Sequence, residues 1–153
     1  MTTRILLIAH APLAQALRDC ALHVFADCGA SVLALDVPPQ AAPEDTLAQA
    51  RHMLQPLGDA PLLVLTDVFG ATPSNVATRL AELASDLKLK VVAGVNLPML
   101  LRSVCYQDES LDALAARATA GAIQGVIQVT VNAPQQQSLR SPAHAATHHS
   151  SQQ

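Results

Sequence analysis

The feature that most constrains this chain is a repeated pairing: a short apolar run, then a segment with helical spacing of apolar residues. Residues 4–9 (RILLIA) and 61–66 (PLLVLT) are nearly continuous apolar runs, and 31–37 (SVLALDV) and 89–95 (LKVVAGV) are close to that pattern. A run without alternation marks a strand covered on both faces. Residues 13–28 carry Leu13, Ala16, Leu17, Cys20, Ala21 and Val24 at helical spacing, with Gly29 placed to end the helix. Residues 43–57 begin with Pro and two acids and meet Gly58 beyond their end, the punctuation of a second helix. Thr72-Pro73 reads as an N-cap and first helical residue of a third helix to about residue 85. Two more helices are expected, from Asn96-Leu97-Pro98 to about 105 and over 110–120, before a last strand at 125–131 (GVIQVTV).

Strands alternating with helices of this length build βαβ units. The expected fold is α/β: a doubly wound, mainly parallel sheet with helices on both faces. The last run alternates polar and apolar residues, which suits an edge strand or one exchanged with a partner. Residues 1–131 are expected to form one domain. Residues 132–153 (NAPQQQSLRSPAHAATHHSSQQ) lack periodicity and are expected to be a disordered polar tail.

Composition removes several functions. Nine Lys/Arg against twelve Asp/Glu give a formal charge of −3 without a basic cluster, so no nucleic-acid partner is expected. The aromatic residues are Phe25, Phe69 and Tyr106, too few for a stacking platform. No stretch reaches the roughly 20 apolar residues that span a bilayer. The first apolar run is shorter than the roughly 7–15 residues of a signal peptide. A cytoplasmic protein without direct membrane insertion is expected. Cys20, Cys28 and Cys105 are odd in number and lack CxxC spacing, so reduced, mostly buried thiols are expected rather than a disulfide framework or a zinc site.

In open parallel sheets, ligands gather beyond the carboxyl ends of the strands, at the point where the strand order reverses. The residues at those ends are His10, Asp36, Asp67 and Asn96. A carboxylate that binds one ring nitrogen of a histidine fixes its tautomer and leaves the other nitrogen free as a nucleophile. His10 and Asp67 can form such a pair. The helix opening at Thr72-Pro73-Ser74 adds unpaired N–H groups, two hydroxyls and a positive dipole end. A nucleophilic imidazole beside an anion cradle points to phosphoryl transfer onto histidine; the competing reading makes His10 a strand end and Asp67 a loop cap. A response-regulator receiver also needs an acidic pair after its first strand, where this chain has Ala9-His10-Ala11, and a Lys after its last. Neither GxGxxG, GxxxxGK[ST] nor GxSxG occurs, so dinucleotide-binding, P-loop and serine-hydrolase readings have no support.

The segments ILLIAH, LVLTDVFGATPSNVATRL and VVAGVNLPMLL, in this order and spacing, resemble the enzyme IIA component of the mannose family of the phosphoenolpyruvate-dependent sugar phosphotransferase system (PTS). The likeness spans about residues 3–131. It implies a cytoplasmic α/β homodimer with an exchanged, antiparallel last strand. It implies His10 as the residue phosphorylated by the phosphocarrier HPr, with Asp67 orienting it and a IIB component as a possible next acceptor. Members often carry Gly after the active histidine, where this chain has Ala11-Pro12, and a second Gly where it has Ala71. Both replacements are small, so the cradle is expected to survive.

Within that frame, Thr72 and Ser74 are expected to bind phosphate, and Phe69, Leu97, Pro98 and Met99 to form a partner-docking surface. No metal or cofactor is expected. His23 and His52 are read as packing or surface residues, Asp36 as a loop or cap residue, and His144, His148 and His149 as tail residues without a metal. Two other functions remain: a regulatory module read out through His10 phosphorylation, and the related phosphocarrier domain that serves dihydroxyacetone kinase.

Overall fold

The computed structural model describes residues 1–84 and 86–131. The tail expected at 132–153 lies outside the described residues. Four strands form one parallel sheet in the order β2-β1-β3-β4: β1 (Arg4–His10), β2 (Val32–Val37), β3 (Leu62–Thr66) and β4 (Leu89–Ala93). β1 and β3 occupy the middle, and Ile5 to Ala9 are fully buried. That double coverage explains their unbroken apolar sequences.

Successive residues of β1 feed two cores. Ile5, Leu7 and Ala9 face α1 (Leu13–Val24), α4 (Leu97–Cys105) and α5 (Leu111–Gln124). Leu6 and Ile8 face α2 (Pro43–Leu54) and α3 (Thr72–Leu83). The sheet is therefore doubly wound, as expected. Each helix supplies a stripe: α1 buries Ala14, Leu17 and Ala21, and α3 buries Val76, Ala77 and Leu80. α4 and α5 approach closely at Gly121, where an added Cβ would lie 2.8 Å from the Arg102 Cβ.

Several boundaries depart from the sequence reading. α1 stops at Val24, because the chain tightens into a 3₁₀ turn over Ala26–Ala30 before Gly29 can act as a simple helix end. α2 gives way to another 3₁₀ turn at Gln55–Leu57, where Pro56 cannot donate to a continued helix. α5 runs on to Gln124. Ala71, not Thr72, holds the N-cap position of α3; Thr72 and Pro73 are its first two residues.

Residues 126–131 form no strand within the chain. A ladder needs a neighbour, and these residues pair with none of the described strands. Val126, Ile127, Val129 and Val131 are left exposed. The thiols also depart from expectation: Cys28 is buried, whereas Cys20 and Cys105 are exposed on helices. Burial pushes the Cys28 thiol up from its ordinary value.

Candidate active site at the carboxyl end of the sheet

The site lies where the winding reverses. The helix after β1 packs on one face of the sheet and the helix after β3 on the other, which opens a crevice between the two strand ends. His10 closes β1, and Asp67 follows β3 directly.

The ladder itself brings the two residues together. Arg4 N–H donates to the Pro61 carbonyl of the β3 side, and Ile5 N–H donates to Ser31 on the β2 side. Even-numbered amides of β1 therefore face β3, including that of His10. β3 has ended by then, and the Asp67 carboxylate takes the place of a strand carbonyl. Asp67 Oδ2 accepts from the His10 backbone N–H at 2.9 Å and contacts His10 Nδ1 at 2.7 Å. Asp67 Oδ1 accepts from the Val68 N–H at 2.8 Å. The Asp67 carbonyl accepts from Gly94 N–H at 2.8 Å, which anchors the residue from the β4 side as well.

The Asp67 side chain is 9% exposed and the His10 side chain 50%. Burial pushes the Asp67 carboxyl up, but the hydrogen bonds donated by His10 and Val68 outweigh it and hold the group below its ordinary range. An ionised Asp67 accepts a hydrogen bond from Nδ1–H. The imidazole is thus held with Nδ1–H toward the carboxylate and Nε2 as the free lone pair.

The loop after Asp67 turns back into α3 through Gly70, whose φ of +85° lies in the left-handed region that glycine occupies without cost. Ser74 shapes this loop from inside: its buried hydroxyl accepts from Gly70 N–H at 2.8 Å and donates to the Ala71 carbonyl at 3.0 Å. Its proton is committed there. Thr72 is half-buried in the first turn. α3 has neither a side-chain cap nor an acid in that turn, which leaves its positive end open to an anion.

The four docking candidates separate. Phe69 projects from the loop, 87% exposed, beside a groove of about 480 Å³ between α2 and α3 lined by Pro43, Leu47, Val76 and Arg79. Met99 is only 2% exposed and belongs to the core. The expectation that it docks a partner is corrected: the Asn96 side chain caps α4 by accepting from Met99 N–H at 2.9 Å, and Met99 is buried among core residues. Leu97 packs half-buried on the same core, and Pro98 lies half-buried against the turn at Gly125.

Asn96 and Asp36 are caps: Asp36 Oδ1 accepts from Gln15 N–H at 3.2 Å. His23 and His52 are exposed on helices away from this crevice; His144, His148 and His149 lie outside the described residues. Among the described residues, no group of three or more His, Cys, Asp or Glu side chains could hold a metal ion. No described helix is long and apolar enough to cross a membrane. Asp36 is a cap, one of the two roles read for it from the sequence, but the helix it caps, α1, follows another strand and has no local spacing to show it; the Val68 amide, a backbone donor, has no residue signature.

The fold matches known proteins. The family model EIIA-man, described as PTS system fructose IIA component, matches residues 4–119. The mannose/sorbose-specific IIA subunit of the phosphotransferase system from Enterococcus faecalis superposes with a TM-score of 0.78 at 26% identity, covering 86% of this chain and 98% of that one. The phosphotransferase system component EIIA from Streptococcus agalactiae gives a TM-score of 0.74 at 25% identity over 82% of this chain and 96% of its own. The PTS IIA protein associated with the fucose utilization operon of Streptococcus pneumoniae shares the fold, with a TM-score of 0.71 at 21% identity, over 84% and 93% of the two chains. On the family match across most of its length, the chain belongs to the EIIA-man family of phosphotransferase-system IIA components.

Proposed function

We propose that this chain carries a phosphoryl group on His10 Nε2, taken from the phosphohistidine of HPr. The group then passes to a histidine of a IIB component or serves as a regulatory signal. The observation that carries this reading is the 2.7 Å contact between His10 Nδ1 and Asp67 Oδ2 beside the open N-terminus of α3.

In the forward step, the Nε2 lone pair attacks phosphorus as the P–N bond to the HPr histidine breaks, and that bonding pair returns to the departing ring. Positive charge builds on the His10 ring as its new N–P bond forms. The Asp67 carboxylate offsets that charge while keeping Nδ1 protonated. The amides of the first turn of α3 and the Thr72 hydroxyl receive the phosphoryl oxygens. Ser74 contributes by holding Gly70 and the loop. The chemistry is positioning and charge stabilisation by protein groups.

Phe69 is the docking residue in this reading, and the protein works in the cytoplasm as a homodimer. Residues 1–131 are the working domain. Residues 125–131 pair with the β4 edge of a second copy; their exposed apolar side chains and the half-exposed β4 support this. The test of the central claim is incubation with phosphoenolpyruvate, enzyme I and HPr. An acid-labile, base-stable phosphate that is lost in His10→Ala is expected. A wild-type protein that takes no label from active upstream components overturns the reading.

A further inference from the structure

α1 begins without a cap of its own. Its N-cap residue is Pro12, which has no side-chain acceptor, and its first turn contains no acid. α4 and α5, by contrast, are capped locally by Asn96 and Ser110. For α1 the acceptor comes from a neighbouring strand: Asp36 Oδ1, near the tip of β2, accepts from Gln15 N–H at 3.2 Å. The next residue of β2 holds the start of the connector, where the Val37 carbonyl accepts from Ala11 N–H at 3.0 Å and prolongs the β1–β2 ladder past His10. Register sets Asp36 opposite Ala9 and Val37 opposite His10.

The connector that leaves His10 is therefore gripped at both of its ends by consecutive residues of β2. This matters because, among the described residues, Asp67 is the one hydrogen-bonding partner of the ring itself. Asp67 fixes Nδ1, but the direction in which Nε2 points also depends on where the backbone runs through residues 11–13. These carry the Ala11–Pro12 peptide, which is cis, and then enter α1. A carboxylate at the α1 N-terminus also complements the helix dipole, whereas the α3 N-terminus has no such side chain. One helix end at the crevice is closed and the other is open.

We propose that Asp36 is a positioning residue for phosphoryl transfer at His10: by capping α1 from β2 it fixes the connector and aims Nε2. The proposal rests on His10 being the phosphoryl acceptor. Misplacement of a reacting group by about 1 Å can cost on the order of 100-fold, and loss of one of two anchors is expected to lower kcat about tenfold.

The experiment measures transfer from phospho-HPr to wild type, Asp36→Ala, Asp36→Asn and Asp36→Glu, with thermal melting of each. Asp36→Asn keeps an oxygen that accepts from Gln15 N–H, and is expected to stay within about threefold of wild type. Asp36→Ala is expected to lose about tenfold in kcat with KM for phospho-HPr unchanged. The ¹⁵N resonances of the Gln15 amide and His10 Nε2 move in Asp36→Ala and stay in Asp36→Asn. Asp36→Glu, which keeps the charge and displaces the acceptor, behaves as Asp36→Ala and replaces it if that variant does not fold. Wild-type kcat in Asp36→Ala, equal loss in the Ala and Asn variants, or a loss that follows the folded fraction overturns the proposal. An unlabelled wild type overturns the phosphocarrier reading as well, whereas a labelled wild type with an indifferent Asp36→Ala overturns this inference alone.

Discussion

One oxygen of Asp67 serves both parts of His10: Oδ2 takes the backbone N–H at 2.9 Å and stands 2.7 Å from ring Nδ1. The carboxylate thus sets the strand end and the ring orientation together. A carboxylate oxygen accepts both hydrogen bonds at once, whereas an amide oxygen in its place lacks the charge that offsets a cationic ring.

Asp67→Asn is therefore expected to fold and to accept phosphate slowly, on the order of 100- to 10,000-fold below wild type. Quenched-flow measurement of label transfer from phospho-HPr checks this. A near-normal rate would remove Asp67 from the mechanism.

The same carboxylate makes stability depend on pH. Its native pKa lies below the ordinary value, so the native state binds fewer protons there than the unfolded chain, whose Asp titrates at about 3.9. The contribution is full above that value and is lost as pH falls through the lowered native one. Urea midpoints of wild type should approach those of Asp67→Asn as the solution is acidified below about pH 4. Two curves that stay parallel across that window would contradict the assignment.

Phe69 and Met99 should give opposite signatures. Phe69→Ala removes an exposed ring and should change stability by less than about 0.5 kcal/mol, while raising KM for phospho-HPr. Met99→Ala empties a core position and should cost about 2–5 kcal/mol, with KM unchanged in the protein that remains folded. Melting curves and transfer kinetics on the two variants separate docking from packing.

Gly70→Ala meets no neighbouring atom, so any loss comes from the backbone. At a φ of +85° an L side chain is strained, and a destabilisation of about 1–2 kcal/mol is expected. Chemical denaturation reads it directly; an unchanged midpoint would show that the loop adopts another conformation without penalty.

Wild type is expected to sediment as a dimer, and Val129→Lys as a monomer at the same concentration, because a charge would stand where an apolar side chain is to be covered. A wild-type monomer at high micromolar concentration would overturn the exchanged-strand reading.

The parts of this architecture that could be read from the chain are those where burial writes itself into local sequence. β1 and β3 are covered on both faces, so their residues are uniformly apolar. His10 and Asp67 stand out because charged or polar residues end such runs abruptly. Met99 could not be placed, since its inward position follows from the Asn96 cap rather than from its own neighbours. Thr72 looked like a cap because Thr-Pro commonly is one, but Ala71 holds that position and Thr72 is the first helical residue, with Ser74 two residues on binding back to Gly70 and Ala71. Residues 126–131 carry strand alternation, yet pairing is a property of two segments, and they pair with none of the described strands.

The crevice at the reversal of winding has helices on both sides, and His10 at the end of β1 faces out of it. In the proposed relay, a donor seated over His10 would occupy the place an acceptor needs, so the two would visit in turn. Saturating either partner should then slow the relay by crowding out the other, a kinetic cost built into where the sheet changes direction.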